Sequence, residues 1–293
     1  MELGKAPAII TGAGVSPGFT AAKKTTLRMN KKSTLLVLTA LAAGALAARA
    51  QTPAPAPAAA APSATWTVTP TIASQYMFRG VRLGGASFQP TIEYGSGPLV
   101  LGLWSSFPMK DKVPGQSDPE LDPYGSYTFD LAKDLTLQPG FILYTYPNAN
   151  KNNGFFGTTF EPSLALNYTV EGVKLTPKIY YDMVMKQSLL EFSVAYAIPL
   201  KDAGTEIDFL GQVGTFKALD MLENSSPAYK NYGNYWLAGI TLPFQITKDA
   251  KLSIGWAYTK GSDNFFKQGS RPKFENTAAV GRGVATISYS MTF

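Results

Sequence analysis

The stretch "GRGVATISYSMTF", Gly281 to Phe293, alternates without a break. Ala285, Ile287, Tyr289, Met291 and Phe293 fall on one side; Thr286, Ser288, Ser290 and Thr292 fall on the other. A period of two belongs to a β-strand, because successive side chains leave opposite faces of the backbone. Chain ends of water-soluble domains are commonly frayed and polar. An aromatic ring at the last position therefore asks what the oily face of this strand touches.

The same period runs upstream from Thr65. In "TTFEPSLALNYTV", Thr158 to Val170, Phe160, Leu164, Leu166, Tyr168 and Val170 oppose Thr159, Glu161, Ser163, Asn167 and Thr169. In "VKLTPKIYYDMVMK", Val173 to Lys186, Leu175, Ile179, Tyr181 and Met183 oppose Lys174, Thr176, Lys178, Tyr180, Asp182 and Lys186. About twelve such segments begin near Trp66, Phe88, Leu99, Glu120, Leu135, Thr158, Val173, Leu189, Thr205, Tyr235, Lys251 and Gly281. None has a helical period. Many short strands separated by turn signals indicate a sandwich or a barrel.

The connections separate those two architectures. Every second link is tiny ("GSGP", "AKD", "EG", "KDAG", "KDA"), whereas residues 108–119, 147–157, 218–234 and 261–280 make long polar links on alternate positions. Tight turns at one end and long loops at the other are the habit of outer-membrane barrels, whose strands cross the apolar band in about ten tilted residues. Backbone groups in lipid must all be paired, which demands closure. The expectation is an all-β, antiparallel, up-and-down transmembrane barrel of about twelve strands over 65–293. The competing architecture is an exported soluble β-sandwich. Prolines inside the segments weigh against closure, since a closed wall has no free edge for a missing donor. Pro139 is the hardest to place, and a bulge at Pro139-Gly140 is expected.

Composition removes many functions. The 293 residues contain no cysteine and no histidine, which excludes a disulfide framework, thiol and Ser-His-Asp catalysis, and most transition-metal sites. No cofactor is implied. Seven of the 26 bases and one of the 20 acids lie in residues 1–50, so the rest carries nineteen of each. A neutral body offers no field for nucleic acid.

Ahead of the strands, "MNKKSTLLVLTALAAGALAARAQ" from Met29 has a basic start, an apolar core from Leu35 to Ala47 and an Ala48-Arg49-Ala50 cleavage site. It reads as a signal peptide, 29–50, too short in its apolar run to span a membrane as a helix. Residues 1–28 read as a spurious or cleaved extension. Its "AIITGAGVSPG", Ala8 to Gly18, imitates a nucleotide loop but lacks the βαβ context that such a loop needs. The Pro/Ala tract 51–64 reads as an extended spacer.

"SQYMFRGVRL", Ser74 to Leu83, resembles the opening signature of a TorF-type family of bacterial outer-membrane, porin-like proteins, Ser-x-Tyr-x-Phe-Arg-Gly. "ELDPYGSY" from Glu120 and "YTYP" from Tyr144 are similar in order and spacing. Gln75 stands where the family often has Asp, and the later half matches in texture only. With the final Phe293 the likeness covers Trp66 to Phe293. It implies a porin-like barrel. Tyr289, Met291 and Phe293 resemble the terminal signal that barrel-assembly machinery reads.

Extending the faces places Arg79, Glu93, Glu120, Asp122, Glu161, Lys174, Lys178, Asp182, Lys186, Glu206 and Asp208 around an interior, as pore lining or as braces. Glu93 or Glu120 is the expected partner of Arg79. Acids on the early strands against lysines on the seventh would set a transverse field in a water-filled pore. Tyr144, Tyr146, Trp104, Phe107, Tyr94 and Trp236 are expected as interfacial girdle residues. The expected partners are outer-membrane lipid, assembly machinery and small polar solutes, and the localisation is a Gram-negative outer membrane. The function expected is passive diffusion of small polar solutes through a narrow charged lumen; a closed structural or surface-recognition barrel is the alternative. An outer-membrane hydrolase using Glu120 and Asp122 as acid and base is disfavoured, because i, i+2 carboxylates occur in any acidic lumen and histidine is missing.

Overall fold

The computed structural model describes residues 64–111, 118–149, 157–184, 186–219, 230–262 and 281–293. Residues 1–63, where the extension, signal peptide and spacer are expected, lie outside the described residues, as does Met185. Twelve barrel strands follow the twelve sequence segments. They are β1 (Thr65–Thr69, resuming as Thr71–Ala73), β2 (Ser87–Phe88, resuming as Thr91–Ser96), β3 (Leu99–Pro108) and β4 (Glu120–Tyr127, resuming as Phe129–Ala132). Next come β5 (Leu135–Thr145), β6 (Thr158–Val170), β7 (Val173–Asp182) and β8 (Gln187–Leu200). The last four are β9 (Thr205–Leu219), β10 (Lys230–Thr247), β11 (Ala250–Gly261) and β12 (Arg282–Thr292).

Each strand pairs antiparallel with its neighbours in sequence, and β1 pairs with β12, so the sheet closes on itself. The seam has two parts: Thr67 and Val68 face Thr292 and Met291, and Thr71, Ile72 and Ala73 face Ser288, Ile287 and Thr286. At its end Phe293 and Trp66 exchange backbone hydrogen bonds of 2.8 and 3.1 Å. The tight links lie at that same end. Glu171 and Gly172, both at positive φ (49° and 80°), form the two-residue turn that matches strand twist between β6 and β7. A single 3-10 turn, Lys201–Ala203, closes β8 to β9.

The exterior carries the oily half of each alternation. Ile72, Ile92, Leu101, Phe141, Leu164, Ile179, Phe192, Ile240, Ile254, Trp256 and Ile287 all have about two-fifths or more of their surface open. A continuous apolar belt of that size has no place in water; it suits hydrocarbon. Beneath it the interior holds buried charged side chains together with a small cluster of Val81, Leu189, Phe216 and Tyr235. Glu161 and Asp122 are each 1% exposed.

The prolines stand where one of a strand's two ladders is interrupted. Pro70 separates the two parts of β1, and Pro90 those of β2. Pro177 pairs with Phe192 of β8, but the β6–β7 ladder skips it between Tyr168–Leu175 and Ala165–Lys178. Pro139 pairs with Leu164 of β6 while its other neighbour, β4, is broken at Thr128. The bulge expected at Pro139-Gly140 is not there; the register shift of this ladder falls at Leu135/Thr136. A closed wall therefore admits proline by locally releasing one pairing, which removes the need for its missing N–H.

Candidate functional site

The link from β1 to β2 does not continue upward as a loop. It forms a second, two-stranded sheet, Tyr76–Phe78 against Val81–Gly84, outside the barrel ladder. Phe78 and Val81 are paired, and between them Arg79 and Gly80 take φ of 47° and 78°. Two left-handed residues in a two-residue link make a type I′ turn. The hairpin is folded into the barrel, because its side chains reach wall residues at the long-loop ends of most strands.

Tyr76 is buried and its hydroxyl donates to Glu120 Oε2 of β4 at 2.7 Å; Tyr146, just past β5, donates to Oε1 at 2.8 Å. The Tyr76 ring also packs on Trp104 of β3, centroids 5.5 Å apart. Phe78 meets Tyr144 of β5 edge-on at 5.6 Å. At the tip, Arg79 grips Glu161 of β6 with both terminal nitrogens, at 2.7 and 2.9 Å, in the fork geometry that suits guanidinium and carboxylate. Its plane lies 4.8 Å from the ring centre of Tyr180 on β7. Gly80 accepts a hydrogen bond from the Gly261 N–H of β11 at 2.9 Å. Val81 is buried with Leu189, Phe216 and Tyr235, from β8, β9 and β10. The hairpin thus touches the wall on opposing sides.

A second polar knot lies alongside. Glu191 of β8 accepts from Tyr180 at 2.8 Å and from Tyr235 of β10. Lys178 stands opposite Glu191 in register and sits 4.5 Å over the Tyr180 ring. Asp122 accepts the Thr145 N–H at 3.0 Å, and Asp182 the Val184 N–H at 2.9 Å. Buried charge is tolerable here because hydroxyls, amides and one guanidinium satisfy the carboxylate oxygens. Among the described residues, no group of three or more Asp and Glu side chains is arranged to hold a metal ion.

The inner half differs. Lys174, Asp208, Ala195, Gly239, Thr241, Gly255 and Thr286 surround a cavity of about 570 Å³. Glu206 lies lower on the inward face of β9, and Glu93 accepts from the Tyr124 hydroxyl.

Several expected placements change. Arg79 is not on a wall strand, and its partner is Glu161, not Glu93 or Glu120. Lys186 is exposed in the turn after β7, because that strand ends at Asp182, so it leaves the lysine ladder. No basic wall stands apart, since Lys178 faces Glu191 directly. Tyr144, Tyr146 and Trp104 point inward to the hairpin and its carboxylates, whereas Phe107, Tyr94 and Trp236 face outward. Tyr76 and Tyr235 join the site without having been singled out as site residues, and Glu191 lies on the inward face that the alternation gives it. The sequence cue for the hairpin was the Arg79-Gly80 pair between two apolar runs, read instead as one strand.

Among solved structures the chain is similar to the NanC porin (13% identity, 77% of this chain and 98% of that one, TM-score 0.49). It is also similar to the KdgM porin (11%, 78% and 99%, 0.46). An outer-membrane channel from Pseudomonas putida F1 covers 83% of this chain and all of its own, at 12% identity and TM-score 0.39. No curated protein matches the chain. A family described as "Bacterial protein of unknown function (Gcw_chp)" matches residues 58–286. The TorF-type name rests on the quoted motifs alone.

Proposed function

The chain belongs to the Gcw_chp family of bacterial proteins of unknown function, and from that premise we propose that it is a porin-like barrel of the outer membrane. It passes small polar solutes by passive diffusion and carries out no catalysis. The observation that carries this reading is the inversion of the barrel: aliphatic and aromatic residues cover the outside, while hydroxyl, amide and charged groups line a bore. Glycine, alanine and threonine around the inner cavity leave room for water and solute there. Lipid surrounds the belt. Phe293, 73% exposed at the end of β12, is available to assembly machinery.

Liposome swelling with a graded series of sugars, amino acids and organic acids tests the reading. Swelling with the smallest solutes and a cut-off among the larger ones is the expected result. Folded protein that gives neither swelling nor current in planar bilayers would remove it. The second reading, a closed barrel acting through its long loops, draws support from the hairpin across the outer half of the bore.

A further inference from the structure

We propose that the hairpin Tyr76–Gly84, and not the ring of strands, decides which solutes pass, and that Arg79 is the positioning residue that keeps it in the bore. The proposal rests on the passive-pore reading of the same lumen.

The bore changes character along its length. Its inner half holds a cavity of about 570 Å³, where Gly239, Gly255 and Thr241 stand among Lys174, Asp208 and Leu237. Narrowing occurs where the hairpin crosses, bonded to β4 through Tyr76, to β6 through Arg79 and to β11 through Gly80. A solute must pass beside the hairpin, whose Tyr76 and Arg79 are packed against the buried wall carboxylates Glu120 and Glu161, and this crowding selects compact molecules.

The hairpin is held by design of its tip. Arginine is a poor choice for a left-handed turn position, where asparagine or glycine would sit without strain. Strain of this kind persists where the surroundings fix it, and such places cluster at functional sites. Here the fixing contact is specific. Only a planar fork reaches both oxygens of Glu161 while stacking against Phe78, 4.6 Å away, and Tyr180. Glu161 is in turn oriented by the Tyr144 hydroxyl at 3.0 Å. A hairpin that served only to fill space would need no such latch.

The test compares the full chain with Arg79→Ala, Arg79→Lys, Glu161→Gln and a variant whose residues 77–83 are replaced by two glycines. Folding is checked by the change of gel mobility on boiling. Excision is expected to raise single-channel conductance at least about threefold and to admit sugars that the wild type excludes. Arg79→Ala and Glu161→Gln move the same way by a smaller step, and Arg79→Lys, which keeps the charge but not the fork, fails to restore the wild-type value. A folded excision variant with wild-type conductance and cut-off overturns the proposal. Silence of both folded proteins overturns the pore reading instead. A silent wild type that conducts after excision supports the hairpin's role and moves the barrel to the closed reading. Because the chain has no cysteine, Met77→Cys gives a check in an intact hairpin. Modification with a bulky thiol reagent should at least halve the current, and an unchanged current counts against the proposal.

Discussion

Replacing Gly80 with alanine should free the hairpin and leave the barrel standing. Gly80 sits at φ 78°, and an added Cβ would lie 2.6 Å from Gly261 Cα and nearer still to the adjoining backbone of Lys260 and Gly261. Backbone cannot swing aside like a side chain, so the hairpin has to retreat. The left-handed conformation costs an L-residue about 1–2 kcal/mol. Losing the 2.9 Å bond from Gly261 N–H to Gly80 O costs about 1 kcal/mol more, and overpacking adds about 1–3 kcal/mol. At about 1.4 kcal/mol per factor of ten, the sum of about 3–6 kcal/mol raises the undocked population about a hundredfold or more. Trypsin reads that population, because Arg79 and Arg82 are both in the hairpin and are cut when it leaves the bore. Mass spectrometry separates these cleavages from others. Gly204→Ala is the control: φ there is 59°, yet no atom lies within 4 Å of an added Cβ. Cleavage at Arg79 and Arg82 no faster in Gly80→Ala than in Gly204→Ala would refute the close-approach argument.

Lys178→Glu turns a lysine that faces Glu191 into a third close acid beside Glu161 and Glu191; the reversal potential in a salt gradient should move toward cation preference, and an unmoved potential places Lys178 off the path. Ile254→Lys puts a charge on the outer belt and should cost about 2–4 kcal/mol in barrel stability, whereas Ser253→Lys, one residue away but inward, should cost under about 1 kcal/mol. Urea unfolding in lipid vesicles measures both, and equal costs would reverse the assignment of faces. Phe293→Ser should lower the fraction of heat-modifiable protein recovered from membranes several-fold; unchanged recovery would detach the last residue from assembly.

The wall was legible because one rule governs every segment. Strict alternation at Ile254, Trp256, Ile287 and Tyr289 follows from a strand with oil on one side and water on the other, and no tertiary detail can override it. Loop lengths alone set which end is which. The hairpin was hidden for the opposite reason. "YMFRGVRL" is apolar, basic and glycine-containing, as a strand crossing into a turn would also be, so Gly80 reads equally well as part of an opening strand and as the second residue of a turn. Once Tyr76–Phe78 leaves the wall, a face counted along a continuous strand no longer holds at Arg79, which is why its partner is Glu161 and not Glu93 or Glu120. The inward Tyr144, Tyr146 and Trp104 were misread by a related route. Aromatic residues near strand ends do form girdles, but these three point to a polar interior that only the hairpin creates. The prolines, finally, depend on which of two ladders is locally open, and pairing gaps leave no mark on a single strand's sequence.

The seam between β1 and β12 carries a last consequence. All other adjacent strands are close in sequence, but this pair joins Thr67 to Thr292, so it is the contact with the longest loop to close and the slowest kind to form. The chain that occupies the interior leaves β1 immediately after that seam, at Ser74, whose N–H is bonded to Ala285 O. A sealed cylinder could not admit a folded turn through its side. The inner hairpin and the final zipping of the cylinder therefore hang on the same few residues, and loosening the link of Ser74 to Ala285 would disturb both.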